Sequence, residues 1–226
     1  MSDPAKSTRI PIVERVLEAN DQLAETVRAD LARRGIFAVD IIGAPGSGKT
    51  ALLEATLRAL KGRLRPAVLV GDLATRRDGD RLARWCDQVV QISTGQGCHL
   101  EAGQVREALK QVDLSEVDLL LIENVGNLIC PVGFDLGQAA KVGVFAVTDG
   151  DDKAAKHPYL VQAADVLLLN KIDLLPYVSF DRTVFEADVR LLNPIVPILE
   201  VSSTTGAGLD AWLEWLDRSN ADRLQP

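Results

Sequence analysis

Short apolar runs alternate with amphipathic segments along most of the chain. The runs are IFAVDII (36–42), PAVLVGD (66–72), DQVVQI (87–92), VDLLLIEN (117–124), VGVFAVTD (142–149), ADVLLLNK (164–171) and IVPILEVSS (195–203). Within them Val, Leu and Ile follow one another with little polar interruption, the pattern of strands covered on both faces. Strand–helix alternation of this kind predicts an α/β fold with a doubly wound, mostly parallel sheet flanked by helices. Ahead of the first run, Ile12, Val13, Val16, Leu17, Leu23, Val27 and Leu31 recur at helical spacing, and Gly35 closes the stripe. No repeat, low-complexity tract or linker interrupts the remainder. The expected organisation is an N-terminal helical extension over 1–34 and one domain over 35–226.

Composition narrows the partners. The chain has 226 residues, 47% of them hydrophobic, enough for a real core in one domain and short for two. A net charge of −7 argues against a sequence-independent grip on nucleic acid. Three cysteines make no disulfide framework and fit a reducing compartment. The opening MSDPAKSTRIPIVE carries a proline and charges where a signal peptide needs an apolar run, and no stretch approaches the roughly 20 apolar residues of a membrane span. A cytoplasmic protein without membrane contact is the expectation.

Chemistry enters with GAPGSGKT, Gly43 to Thr50, which follows the first strand and opens a helix. This is the P-loop pattern in the context it requires. Gly43, Gly46 and Gly48, with Pro45 and Ser47 between them, let backbone N–H groups curl around phosphates. The helix beginning at Lys49, Thr50 and Ala51 adds the positive end of its dipole. Lys49 is expected on the β- and γ-phosphates and the Thr50 hydroxyl on Mg²⁺. Asp72 and Glu123 end later strands, and strand C-termini line the ligand crevice of an open parallel sheet. Each is a candidate to hold Mg²⁺ or orient the attacking water, with Asp78 a further member of that cluster.

The base is read further along. NKID places Asn170, Lys171 and Asp173 at the end of a buried run. The Asp173 carboxylate can accept from guanine N1–H and the exocyclic amine together, a pair that adenine does not offer. The Lys171 stem can lie along the base plane. SSTTG, with Ser202 and Ser203, stands where GTPases carry a Ser-Ala-Lys loop, although Thr204 occupies the usual lysine position. The nucleotide is therefore read as GTP, with GDP as product.

TGQGCHLEAG sets Cys98 beside His99, soft ligands suited to Zn²⁺ and also to Ni²⁺. Adjacent residues do not complete a tetrahedral site, and Cys130 in GNLICP is the nearest further thiol, expected on the same rim of the sheet. The spacing lacks a paired C-x-x-C, so on spacing alone a packed or solvated Cys-His pair remains open. Cys86, on a predicted helix beside Trp85, and His157 are read as structural.

Taken together, GAPGSGKT, GDLATRRDGDRL, TGQGCHLEAGQV, ENVGNLICPVGFDLG, NKIDLLPYVSFD and SSTTGAGLDAWLEWL resemble the hydrogenase nickel-incorporation GTPase family (HypB), a SIMIBI-class group of P-loop GTPases. The resemblance runs from about residue 10 to residue 217. It implies a GTP-hydrolysing metallochaperone that assists nickel insertion into the large subunit of a [NiFe]-hydrogenase. It also implies a homodimer favoured by GTP and metal, with residues matching Cys98, His99 and Cys130 binding nickel or zinc at the subunit interface. The partners it implies are a HypA-like nickel chaperone and the hydrogenase large-subunit precursor. A urease-type nickel-delivery GTPase and a P-loop small-molecule kinase stand as alternatives. One departure is clear: many members carry an N-terminal Cys-x-x-Gly-Cys nickel site, while this sequence has no Cys before Cys86 and no His before His99. Any function needing that site is expected to be absent or supplied by another protein. The sequence displays no obvious built-in arginine finger, so slow turnover is expected.

Overall fold

The computed structural model describes residues 12–72, 77–95 and 97–222. Seven strands form one sheet: β1 (Phe37–Gly43), β2 (Pro66–Asp72), β3 (Val89–Ser93), β4 (Leu119–Glu123), β5 (Ala140–Ala146), β6 (Val166–Asn170) and β7 (Ile198–Glu200). Their order is β3-β2-β4-β1-β5-β6-β7, and every pairing is parallel. Parallelism has a direct consequence for function: the C-terminal ends of all the strands, and the loops that leave them, lie along one rim. The chain leaves the central β1, builds outward on one side, returns to place β4 between β1 and β2, and then builds the other side. That reversal puts the crevice over β1 and β4.

Helices cover both faces. They are α1 (Ile12–Arg33), α2 (Lys49–Leu60), α3 (Arg77–Leu82), α4 (Ala102–Leu109), the short α5 (Lys153–Lys156) and α6 (Pro158–Ala163), α7 (Arg182–Leu192) and α8 (Leu209–Asp222). Alternate residues of each strand serve opposite faces. Phe37, Val39 and Ile41 join Leu53 and Leu57 of α2 and the buried Trp212 of α8, whose indole N–H donates to Thr56 Oγ1 at 2.9 Å. On the other face Ala38, Leu69 and Ile122 meet Val27 and Leu31 of α1 and Val105 and Leu109 of α4. Beside them Ile42, Phe145 and Leu169 meet Leu160, Phe185 and Val189. Strands buried from both sides explain why the sequence shows continuous apolar runs rather than alternation.

Some expectations shift. The run at 195–203 supplies a strand of only three residues, Ile198–Glu200, with Ile195 89% exposed ahead of it. Cys86 does not lie on a helix. α3 ends at Leu82, and the thiol, beyond a turn, donates towards the Pro66 carbonyl at 3.2 Å as the chain swings into the edge strand β3. In α1 the buried line runs through Asn20, Ala24, Val27 and Leu31, while Val16, one turn beyond it, is 48% exposed. Ile12 and Val13 lie outside the residues whose side chains are described. Among the described residues no helix is long and apolar enough to cross a membrane.

Candidate functional site

The loop Gly43–Gly48 leaves β1 at the middle of the rim and turns directly into α2. Gly48 precedes the helix at φ 93°, a left-handed conformation that favours glycine, and a Cβ there would stand 2.5 Å from Asn170 Nδ2. Pro45, Gly46, Gly48, Lys49, Thr50 and Ala51 line a cavity of about 410 Å³ together with Asp72, Asp78 and Glu123. Gly43 and Ser47 are buried beneath it. Lys49 Nζ donates to the Gly43 and Ala44 carbonyls at 3.1 and 3.3 Å, so the ammonium is parked on the loop it serves. Burial lowers its pKa below the ordinary lysine value, with the charge of Glu123 opposing that shift.

Thr50 Oγ1 donates to Glu123 Oε1 at 2.8 Å, while Glu123 Oε2 is buried with no hydrogen-bond partner. Burial pushes the Glu123 carboxyl up to about 7, against the pull of Lys49 and of the Thr50 hydrogen bond. A hydroxyl, an orphaned carboxylate oxygen and the carboxylates of Asp72 and Asp78 around one cavity form a hard oxygen set. That set suits Mg²⁺ alongside phosphate oxygens.

The base-reading segment begins one strand beyond β5. Asn170 ends β6 and is 1% exposed. Its Nδ2 donates to the Ser47 carbonyl at 3.0 Å, and its Oδ1 accepts from Lys171 N–H and Ser203 Oγ. Asn170 thus binds the phosphate loop to the base loop. Lys171, at φ 63°, is the one non-glycine residue with positive φ among the described residues. Its stem carries Nζ to Thr148 Oγ1 at 3.4 Å. Ser202 Oγ donates to Asp173 Oδ1 at 2.5 Å, which leaves Oδ2 of that carboxylate for a ligand. The two serines therefore act on the residues of the NKxD segment, which the sequence alone does not say.

The second site lies along the same rim. Ligand atoms of Cys98, His99 and Cys130 all lie within 4.8 Å of one another, the only such group of three or more found among the described residues. Cys98 Sγ and His99 Nδ1 are 3.5 Å apart. Ligands around a tetrahedral zinc stand about 3.3–3.8 Å from each other, given bonds of about 2.0–2.3 Å. The Cys98–His99 pair already stands at that spacing. His99 stacks on Phe134, with ring centroids 3.8 Å apart. Burial lowers its pKa, keeping the imidazole neutral and its lone pair available, with Glu101 opposing. Glu101 Oε1 stands 3.8 Å from His99 Nε2, which is buried without a hydrogen-bond partner, so a carboxylate lies close to the ring nitrogen that Cys98 does not approach.

Sequence reasoning missed the residues that hold these loops. Asn20, 6% exposed on α1, donates to the Asp135 carbonyl at 2.8 Å and accepts from Ala102 N–H at 2.9 Å. It bridges the segment after Cys130 to the segment after His99. Its signal was present: it is a polar residue on the apolar line of a helix. Asn20→Ala is expected to leave the ligands intact yet weaken metal binding about tenfold, the low end of the effect of removing outer supports. Competition with a chromophoric chelator measures this, and an unchanged Kd would mean the loops are held by other contacts.

The two sites share one strap, Glu123 to Cys130. Asn124 accepts a hydrogen bond from Leu100 N–H at 3.1 Å and donates to the buried Asp40 of β1 at 3.0 Å. Gly126 packs so close to Pro45 of the phosphate loop that a Cβ would lie 3.1 Å from it. Asn127 bridges to Gly43, and its Nδ2 approaches the Cys98 carbonyl at 3.5 Å. The strap then delivers Cys130.

Comparison with known proteins agrees with this geometry. The family model for the CobW/HypB/UreG nucleotide-binding domain matches residues 37–200. The hydrogenase maturation factor HypB of Escherichia coli strain K12 is 45% identical over 202 residues, 89% of this chain and 70% of that protein. The crystal structure of the hydrogenase maturation factor HypB from Archaeoglobus fulgidus superposes with a TM-score of 0.84 at 41% identity, covering 90% of this chain and 100% of that one. The structure of HypB from Helicobacter pylori in complex with nickel superposes with a TM-score of 0.87 at 32% identity, covering 92% and 98%.

Proposed function

Since the chain belongs to the HypB family of hydrogenase maturation factors, we propose that it is a GTP-hydrolysing metallochaperone assisting nickel insertion into the large subunit of a [NiFe]-hydrogenase. In this reading Lys49 and the loop amides of Gly43–Gly48 receive the β- and γ-phosphates, and Asp173 takes guanine. Thr50 with Glu123 and Asp72 would hold Mg²⁺, which supplies charge neutralisation at the phosphates. Water attacks the γ-phosphorus, the bridging P–O bond breaks, and GDP and phosphate leave. Cys98, His99 and Cys130 take the metal as cargo, nickel or zinc. Their three donors are one short of a closed tetrahedral set, which supports a homodimer that brings further ligands. A nickel-donating chaperone and the hydrogenase precursor are the remaining partners of the cytoplasmic cycle.

The strap carries this reading. An acid of the nucleotide cavity stands at one end, a metal thiol at the other, and hydrogen bonds to both β1 and the Cys98 loop lie between. A γ-phosphate that shifts Glu123 therefore shifts the metal ligands, and linkage requires metal to change GTP affinity by the same factor. Coupling of ~1–3 kcal/mol would change the Ni²⁺ Kd about 5- to 150-fold between the GDP form and a form holding a non-hydrolysable GTP analogue. Titration of both forms reads the shift, and sedimentation of the same samples reads the dimer. Equal affinities and an invariant monomer would leave the metal site structural and end the switch.

A further inference from the structure

No arginine in the sequence announces itself as a partner of the γ-phosphate, yet the fold brings one to the cavity. Arg81 of α3 lines the same space as Pro45, Lys49, Thr50, Asp72 and Glu123. Its guanidinium bonds the Glu54 carboxylate of α2 and reaches Asp78 Oδ1 at 3.4 Å. Glu54 follows Thr50 by four residues on one helix, so the two share a face, about 5.4 Å apart along the axis. The guanidinium is thus held on a residue that shares the Thr50 face of α2.

Two features make this a resting place. The pair is accessible, with the arginine side chain 42% exposed, and ion pairs at that exposure are weak and readily exchanged. The cavity also presents Asp72, Asp78 and Glu123 against Lys49 and Arg81 alone among its lining side chains. Lys49 sits at the floor on the loop carbonyls. Arg81 reaches the same cavity from α3, a separate element from the loop that carries Lys49. A guanidinium fork fits phosphate oxygens as it fits a carboxylate, so the exchange of partners preserves its hydrogen bonds.

We propose that Arg81 is a built-in transition-state arginine: when a nucleoside triphosphate binds, it leaves Glu54 and contacts the γ-phosphoryl oxygens. The inference rests on the reading that this cavity hydrolyses GTP. As the water oxygen bonds to the γ-phosphorus, the bond to the bridging oxygen breaks and its electron pair stays on GDP. The proton of the attacking water passes to solvent as phosphate forms. Arg81 donates hydrogen bonds to the charge spread over the equatorial oxygens and exchanges no proton. Glu54 is a positioning residue that holds the guanidinium while the cavity is empty.

The test compares the unmodified protein with Arg81→Ala and Arg81→Lys in Mg²⁺ buffer, reading GTP turnover, GDP affinity and formation of the GDP–aluminium fluoride complex. Arg81→Ala is expected to lower kcat about 10²-fold or more and to lose the aluminium fluoride complex, with GDP affinity held within about threefold. Arg81→Lys keeps the charge without the fork and is expected to fold, bind GDP and remain slow. Added guanidinium ion at millimolar concentration is expected to restore part of the Arg81→Ala rate, a recovery that a purely structural ion pair would not give. Turnover in Arg81→Ala and Arg81→Lys equal to that of the unmodified protein overturns the proposal alone. So does a fall in GDP affinity in step with turnover in both variants. An unmodified protein that hydrolyses no GTP overturns the underlying reading and the proposal with it.

Discussion

Asp173→Asn is expected to weaken GTP binding by as much as ~10⁴-fold, because the site would lose an acceptor matched to two guanine donors and gain a donor facing them. The geometry makes the effect specific. Asp173 Oδ1 already accepts from Ser202 Oγ at 2.5 Å, so the carboxylate is fixed in place before the base arrives. An asparagine there can keep the serine bond through its carbonyl oxygen while its NH₂ group turns towards the base. Guanine then meets N–H against N–H. Xanthine, which carries a carbonyl in place of the exocyclic amine, presents an acceptor to that NH₂ group. Xanthosine triphosphate is therefore expected to bind the variant better than GTP does and the unmodified protein worse. That inversion separates a lost base contact from a misfolded loop. Unmodified protein that binds ATP as well as GTP, or a variant with undiminished GTP affinity, would remove Asp173 from base recognition.

The residues named by chemical type alone were legible because their chemistry is carried in the side chain. A lysine after a glycine-rich turn, an aspartate after Asn-Lys, and a thiol beside an imidazole each announce a ligand. The strands were legible for a different reason. Helices on both sides remove every water-facing position, so β1, β4 and β6 read as unbroken apolar runs. What stayed hidden were the side chains that act between distant segments. Asn20 bonds residues 82 and 115 positions away, and Asn124 reaches 84 positions back to Asp40 and 24 positions back to Leu100. No local pattern states such a bridge, because the partner is a backbone amide or carbonyl that every residue possesses. Arg81 was hidden by the same logic: it lies among the arginines of ATRRDGDRLAR, and only the packing of α3 against α2 selects it. Asn170 shows the converse, a residue the sequence singles out for the base whose contacts in the fold are with Ser47 and Ser203.

Lowering the pH from 8 to 6 is expected to weaken Ni²⁺ or Zn²⁺ binding at least about a hundredfold, and the sign follows from the state of Cys98. The thiolate binds metal and the thiol does not. The hydrogen bond that the Cys98 thiol makes to Cys130, then burial, then the negative charge of an ionised Cys130 raise the Cys98 pKa above its ordinary value, so across this range it is mostly protonated without metal. Below its pKa the thiolate fraction falls about tenfold per pH unit, and a metal that must expel that proton loses affinity by the same factor. Two units give about 10²-fold from Cys98 alone. His99 does not reverse the trend, because burial holds its pKa below the ordinary value and proton competition there sets in only at the acid end. Glu123 provides an internal contrast. Its carboxyl titrates near 7, so Mg²⁺-dependent nucleotide binding is expected to weaken through the same window, but by one proton and independently of Cys98. Metal titrations at fixed ionic strength from pH 6 to pH 8, with the competing chelator's own protonation taken into account, give the slope directly. Cys98→Ala should abolish high-affinity binding and flatten what remains, while leaving the pH dependence of GDP–Mg²⁺ binding unchanged. A slope near zero in the unmodified protein, with Cys98→Ala still weakening the metal, would show that the site holds its thiolates preformed.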